Sequence, residues 1–290
     1  MTGRAMAISL LALCGLGVTA CGATGAAATG ADARSSGAQS SGAPATARLK
    51  SVSAEPGASS ARAATDTATP ARPLAGKVVV IDPGHNGGNY RHPEVINKKV
   101  NVLTQWKPCD TTGTATNDGY SEAAFTWDVA SRMVKLLKAK GATVRLTRDG
   151  NSGVGPCITQ RAAIGNKAHA NAAISVHADG APASGHGFHV IMPKKINGPV
   201  DPVVARSRKL GLALRAAYHE GTGMPYSTYI GKSALDFRSD LGGLNLSTVP
   251  KVFIETGNMR NASDAAKFRD PRFRQRVAAS LVDGLERYLG

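Results

Sequence analysis

The sequence predicts an α/β fold: a single domain whose central, mainly parallel, twisted sheet is flanked by helices. Three observations predict it. Lys77–Ile81, Ala172–Val176 and Lys251–Ile254 are short runs rich in β-branched and other apolar residues, with the length of buried strands. Between them lie segments with apolar residues every three or four positions, the period of a helix packed on one face. Strands that alternate with helices form parallel sheets, because a parallel connection needs a crossover long enough to hold a helix.

The elements follow in order. The chain has 290 residues, 5% of them aromatic, and a formal charge of +15. Met1–Ala20 holds one basic residue, Arg4, ahead of an apolar run from Ala7 to Val18. That run is shorter than the roughly 20 residues needed to span a bilayer and has the length of an export signal's apolar core. It ends in Val18-Thr19-Ala20-Cys21, which resembles a lipobox with Cys21 as the acylated residue; the alternative is an ordinary signal peptide cleaved near Ala20. Either reading exports the protein, to the outer face of the membrane through a lipid anchor or to the wall or periplasm without one. Gly22–Pro73 follows, 52 residues of which 41 are Ala, Gly, Ser, Thr or Pro and none is aromatic. Such a stretch cannot bury enough apolar surface to offset its ordering entropy, and it reads as a disordered linker.

Leu74–Gly290, 217 residues, is one domain by size, with 29 basic and 17 acidic residues and a net charge of +12. This basicity suits an anionic partner. No stacking platform or Arg-rich recognition helix stands out, so nucleic acid is not expected. Anionic wall polymers and lipid headgroups are the candidates an exported protein meets, with Lys194, Lys195 and Lys209 as a basic face. After the strand at Lys77–Ile81, Glu122–Ala139 reads as a helix with Phe125, Val129, Met133 and Leu137 on one face and Gly141 as its C-cap. Ala142–Thr147 reads as a strand, Ile158–His169 as a helix, Ala172–Val176 and Gly187–Met192 as strands. Val203–His219 reads as a helix, Lys251–Ile254 as a strand and Phe273–Leu289 as the closing helix. The stretch 86–120 has no period, and irregular stretches this long in compact domains are usually functional or disordered. Cys109 and Cys157 are the two cysteines left in the exported core, an even pair in an oxidising compartment, which favours a disulfide. Metal binding by these thiols is the alternative, without a CxxC spacing to support it.

Polar residues follow the strands. Lys77–Ile81 runs into Asp82-Pro83-Gly84-His85, Ala172–Val176 into His177-Ala178-Asp179, and Lys251–Ile254 into Glu255. Open α/β sheets bind ligands at the carboxyl ends of their strands, so His85, His177 and Glu255 are expected along one edge. Glu122 sits in the first turn of its helix, three before Phe125 and seven before Val129, hence on the inward face. A carboxylate there is costly to desolvate unless paired or bound to a cation. Two imidazoles, one carboxylate and an open position are the donor set of a catalytic zinc site, with Glu255 left to move a proton. Glu94 is an alternative carboxylate ligand. Asp179 and Asp82 are candidates to orient a ligand imidazole, Arg238 to hold a substrate oxygen.

Taken together these motifs identify a resemblance. Val79-Val80-Ile81-Asp82-Pro83-Gly84-His85, Ser121-Glu122, Ser175-Val176-His177-Ala178-Asp179, Gly187-Phe188 and Pro250–Asn261 occur in the order and at the spacing of the zinc-dependent N-acetylmuramoyl-L-alanine amidases of the amidase-3 type, over Val78–Gly290. The resemblance implies a catalytic domain with one zinc ion on His85, Glu122 and His177, and Glu255 as the catalytic residue. It implies hydrolysis of the amide between the lactyl group of N-acetylmuramic acid and L-alanine of the stem peptide, with peptidoglycan and muropeptides as partners, in wall remodelling or cell separation. A zinc peptidase cutting another stem bond and a non-catalytic wall-binding lipoprotein are the alternatives. Asn86 and Asn258 depart from residues common in that family and are expected to alter the pocket wall. No insertion between Met192 and Val203 is long enough to supply a blocking helix, so the groove is expected to be open.

Overall fold

The computed structural model describes residues 72–290. The expected signal peptide, Cys21 and all but the last residues of the expected linker lie outside the described residues. In chain order the strands and helices are β1 (Val78–Pro83), α1 (Pro93–Ile96), β2 (Lys99–Asn101), β3 (Trp106–Pro108), α2 (Glu122–Ala139), β4 (Thr143–Leu146), α3 (Ile158–Lys167), β5 (Ala172–Asp179), β6 (His189–Pro193), α4 (Val204–Thr222), β7 (Leu235–Arg238), α5 (Gly242–Asn245), β8 (Lys251–Asn258), α6 (Ala262–Arg269) and α7 (Pro271–Leu289). The main sheet has the order β4-β1-β5-β8-β6-β7. Its pairs are parallel except β6 with β8, so the expectation of a mainly parallel sheet holds.

Alternation along the strands separates the two faces. On one, Val79, Ile81, Ile174, Val176, Val190, Met192, Val252 and Ile254 meet α2, α4 and α7 in the main core. Helix α7 shows why a helix forms there: Phe273, Val277, Leu281 and Leu285 recur every four residues, all at most 1% exposed. Asp270 caps its start by accepting from Arg272 N, and Pro271 follows at the first turn, where no hydrogen bond is lost. The other face carries Asp82, Ser175, His177, Lys251, Phe253 and Glu255, and meets α3, α5, the long loop after β1, and Val249 and Tyr229 from later loops.

Besides the short elements within 86–120 and the one-turn helix α5, two elements escape the sequence reading. Strand β7 (LDFR) is four residues long and half-buried, too short for a period to register. Helix α6 has a single large apolar anchor, Phe268, and owes its start to Asn261, whose side chain accepts from the N–H groups of Ser263 and Asp264. The strands bearing the site also run further than their apolar cores: β5 reaches Asp179 and β8 reaches Asn258, so His177 and Glu255 lie inside the sheet ladder rather than beyond it. The stretch 86–120 is not structureless; it holds a 3-10 turn, α1 and the β2–β3 hairpin. Between Pro193 and Val203 there is only a 3-10 turn, at Asp201–Val203.

Cys109 and Cys157 form a disulfide across a sequence separation of 48 residues. In the chain-entropy account, closing a loop of that length contributes about 4 kcal/mol. Reduction, or paired replacement by serine, is therefore expected to lower unfolding stability by about 4 kcal/mol in urea titration, the effect acting mainly on the unfolded chain.

Candidate active site

Glu122 opens α2 with Ser121 as N-cap, its hydroxyl accepting from Ala124 N at 3.3 Å. The helix start favours the carboxylate's negative charge. Two backbone N–H groups hold the carboxylate oxygens: Thr114 N donates to Oε2 at 3.0 Å and Ala178 N to Oε1 at 3.2 Å. His85 brings Nε2 to 3.3 Å from Oε2, and His177 brings Nδ1 to 2.9 Å from Oε1. The imidazole rings stand edge to face with centroids 5.0 Å apart. The donor atoms of His85, Glu122 and His177 all lie within 4.8 Å of one another, a group able to hold a metal ion.

The electrostatics say what belongs between them. Burial raises the pKa of Glu122, but His85 and His177 outweigh it and hold the carboxyl well below its usual range. Burial lowers that of His85, yet Glu122 and Asp110 drive it well above the usual imidazole value. A buried carboxylate facing two imidazoles thus calls for positive charge, which a divalent cation supplies as well as protons do. Because ligation needs neutral imidazoles, metal affinity is expected to fall as pH drops.

Each ring is held from behind. The Nδ1 of His85 lies 3.1 Å from Asp110 Oδ1 and 3.2 Å from Thr111 O, leaving Nε2 free for a ligand. Asp110 is fixed in turn by Arg161, whose Nη2 donates to its Oδ2 at 3.2 Å and to His85 O at 2.9 Å. His85 itself adopts φ +57°, uncommon for a non-glycine residue and typical of a backbone over-determined by its surroundings. The ring of His177 stacks on Phe253, centroids 5.3 Å apart. It occupies space that only a glycine at position 84 leaves open: a Cβ there would lie 2.3 Å from His177 Cε1. Since Gly84 has an ordinary φ, Gly84→Ala should fold and yet displace the ring. We expect metal affinity to fall by about 10–100-fold, the range for groups that orient ligands, read by competition with a chelating dye.

The sequence reading placed six other residues in or near this site, and the structure gives each of them other partners. Asp82 does not orient an imidazole; it is buried under the site and bound to Arg161 and Lys251 at 2.9 and 3.0 Å. Asp179 accepts from Gly180 N at 2.7 Å and stands on the Tyr229 side of the site, away from the ring nitrogens of the ligand group. Arg238 spends its guanidinium on Asp240, at 2.7 and 2.6 Å. Asn86 is buried against a separate hollow lined by Val144, Arg148 and Gly155. Asn258 likewise bears on the 180–187 loop, donating to Pro182 O and Gly185 O at 3.0 and 2.7 Å. Glu94 is exposed and pairs with His92. Asp110 went unread; its one signal was adjacency to Cys109, which the disulfide anchors.

Glu255 stands beside His177 in register on β5 and β8, and beside His189 on β6. Its Oε2 is buried without a hydrogen-bond partner. Burial, then the Glu122 and Asp179 carboxylates, push its pKa well above the ordinary range. A cleft of about 180 Å³ adjoins His85 and His177, walled by Pro108, Ile158, Leu241 and Phe253.

The comparisons agree with this geometry. The profile of the N-acetylmuramoyl-L-alanine amidase family matches residues 79–287. An N-acetylmuramoyl-L-alanine amidase of Mycobacterium tuberculosis is 39% identical over 224 residues, 77% of this chain and 90% of the relative. The crystal structure of the amidase Ami1 from Mycobacterium smegmatis has a TM-score of 0.71 and 38% identity, covering 75% of this chain and 98% of that one. That of Ami1 from Mycobacterium abscessus has a TM-score of 0.69 and 40% identity, covering 75% of this chain and 100% of that one. A matching profile over most of the chain, a relative nearly 40% identical and a shared fold lead to one conclusion: the chain belongs to the amidase-3 family of N-acetylmuramoyl-L-alanine amidases and is a hydrolase.

Proposed function

We propose that this amidase is zinc-dependent and acts on peptidoglycan outside the cytoplasm, with His85, Glu122 and His177 holding the ion and Glu255 carrying the proton. The reading rests on one observation: three donor atoms of zinc-binding type within 4.8 Å, beside an unpartnered carboxylate on the adjacent strand. A zinc ion bound there supplies Lewis acidity, polarising the scissile carbonyl and bringing the pKa of water toward about 7. The protein does the rest. Asp110 fixes the tautomer of His85, and Gly84 and Phe253 fix the ring of His177. Glu255, kept basic by burial and neighbouring carboxylates, accepts a proton from the attacking water and returns it to the departing nitrogen. The +12 charge of the core and exposed Lys194, Lys195 and Lys209 support retention on anionic wall polymer. Export through the leader and acylation of Cys21 complete the proposal; detergent-phase partitioning that Cys21→Ser abolishes is the expected result. Among the described residues no helix is long and apolar enough to cross a membrane.

The deciding measurement pairs metal content with mass analysis of digested muropeptides. We expect intact stem peptides with a free L-alanine amino group, released from muramic acid, and turnover that chelation removes and zinc restores. Shortened stems still attached to glycan would establish a peptidase instead, and undiminished turnover after thorough chelation would refute the metal's role.

A further inference from the structure

Beyond Glu255, on the side away from the metal-binding group, buried polar atoms gather without partners. Glu255 Oε2, His189 Nδ1 and Asp236 Oδ2 lack a hydrogen bond, and Tyr229 Oη makes none of standard geometry, with Asp179 and Ser227 the polar groups near it. They come from β8, β6, the loop before β7, and β7. His189 is 1% exposed and directly opposite Glu255 in register. Its ring meets that of Tyr229 edge-on, with centroids 6.0 Å apart. Asp236 pairs with Ile191, two residues along from His189, and so shares its face of the sheet. Burial of polar atoms without partners is costly, and a cluster of them beside a reactive group points to a ligand that completes them.

The corner is also acidic within a basic domain. Asp179, Asp236 and Glu255 converge there, and Arg238, which also acts on Glu255 and His189, is already engaged by Asp240. Asp179 and Glu255 stand close enough to Tyr229 to reinforce the rise that burial imposes on its hydroxyl pKa. Such a corner suits a cation or an N–H donor.

The order of groups across the sheet fixes which part of the substrate arrives. Gly84, just past the end of β1, lies beside His177 on β5, and Glu255 on β8 and His189 on β6 continue the row. The scissile carbonyl must face the metal-binding group, and the nitrogen must face the proton carrier. Continuing the same direction carries the chain beyond the nitrogen onto His189 and Tyr229. The acyl half falls back toward His85 and the apolar cleft of Pro108, Ile158 and Phe253. Resting on the reading of Glu255 as proton carrier, we propose that Asp179, His189, Tyr229 and Asp236 form a subsite for the amino end of the peptide that hydrolysis releases. In that step water oxygen bonds to the carbonyl carbon and the C–N bond breaks. The acyl half leaves as a carboxylate, and both water protons end on nitrogen, one of them through Glu255. The product is an ammonium group formed next to three carboxylates.

The test is calorimetric binding to the metal-loaded full chain. One probe is a stem peptide with a free L-alanine amino terminus; the other is the same peptide N-acetylated. The free amine should bind about tenfold tighter or more, as expected of charge-assisted hydrogen bonds. That preference should fall below about threefold in Asp236→Asn and in Tyr229→Phe. Equal binding of the two peptides to the parent, or a preference that survives in both variants, overturns the subsite and leaves a water-filled corner. Should Asp236→Asn fail to fold, Tyr229→Phe carries the test alone, since it removes a single hydroxyl oxygen and no hydrogen bond of standard geometry. Turnover of Glu255→Gln addresses the proton carrier separately: if that variant stays active, the Glu255 reading fails whatever the peptides show.

Discussion

Glu255→Gln is expected to lower kcat by about 10²–10⁴-fold, the usual contribution of a positioned acid–base group, while the protein keeps its metal. Glutamine has the same shape but can neither take nor return a proton. The substitution severs no hydrogen bond at Oε2, because that oxygen has no partner. It also removes a carboxylate that is buried near two others, Glu122 and Asp179. The variant should therefore unfold at a temperature no lower than the parent, so that a loss of activity cannot be blamed on a damaged fold. Muropeptide turnover, elemental analysis for zinc and thermal unfolding read the three parts of this expectation. Turnover at the parent rate would remove Glu255 from the chemistry.

Asp82→Asn should destabilise the protein by about 3–5 kcal/mol, the cost of stranding buried charge when one partner is removed. Among the described residues the carboxylate is the only anion bonded to Lys251; it is shared with Arg161 and also accepts from Thr147 and Ser175 at 2.6 Å each. Burial alone would raise its pKa; Lys251 and Arg161, with the two hydroxyls, reverse this and hold it well below the ordinary value. The sign of the pH dependence follows. A carboxyl whose native pKa is depressed stabilises the fold fully above its unfolded pKa, about 3.9, and loses that contribution as pH falls toward the native value. The stability gap between parent and variant, measured by urea titration, should thus be full at neutral pH and narrow below about pH 4. A gap that stayed constant into acid would mean that shape, not charge, makes Asp82 necessary. Because Arg161 also reaches His85 O and Asp110, activity should decline along with stability.

Much of this arrangement was legible in the residues. The apolar runs that became β1, β5 and β8, and the periodic faces of α2, α4 and α7, depend on burial, which composition records directly. Glu122 was legible for the same reason, as a charge on a face that should have none. What stayed hidden depends on partners distant in sequence. Asp110 reaches His85 across 25 residues through a loop that a disulfide ties to α3. Asp82 looked like an orienting residue because it precedes His85, yet alternation turns it under the site, where Lys251 and Arg161 await it from other elements. Strand β7 and helix α6 carry too few apolar residues for a pattern, and tertiary contacts decide them. The strand ends were read short because a polar side chain on the open face ends an apolar run without ending the ladder.

The two sides of the sheet lead separate lives. Most of the apolar mass, from Val129 to Leu214 and Leu281, sits behind the strands; the cleft beside His85 and His177 opens in front, where a smaller apolar cluster gathers Val80, Ala173 and Val249. Packing changes at the rear can lengthen or shorten the enzyme's survival in harsh surroundings without reshaping the cleft. Loop and hairpin changes at the front that spare Asp82 and the Cys109–Cys157 bridge can reshape the cleft without disturbing that rear core. Durability and cleft shape are thereby adjustable largely one at a time.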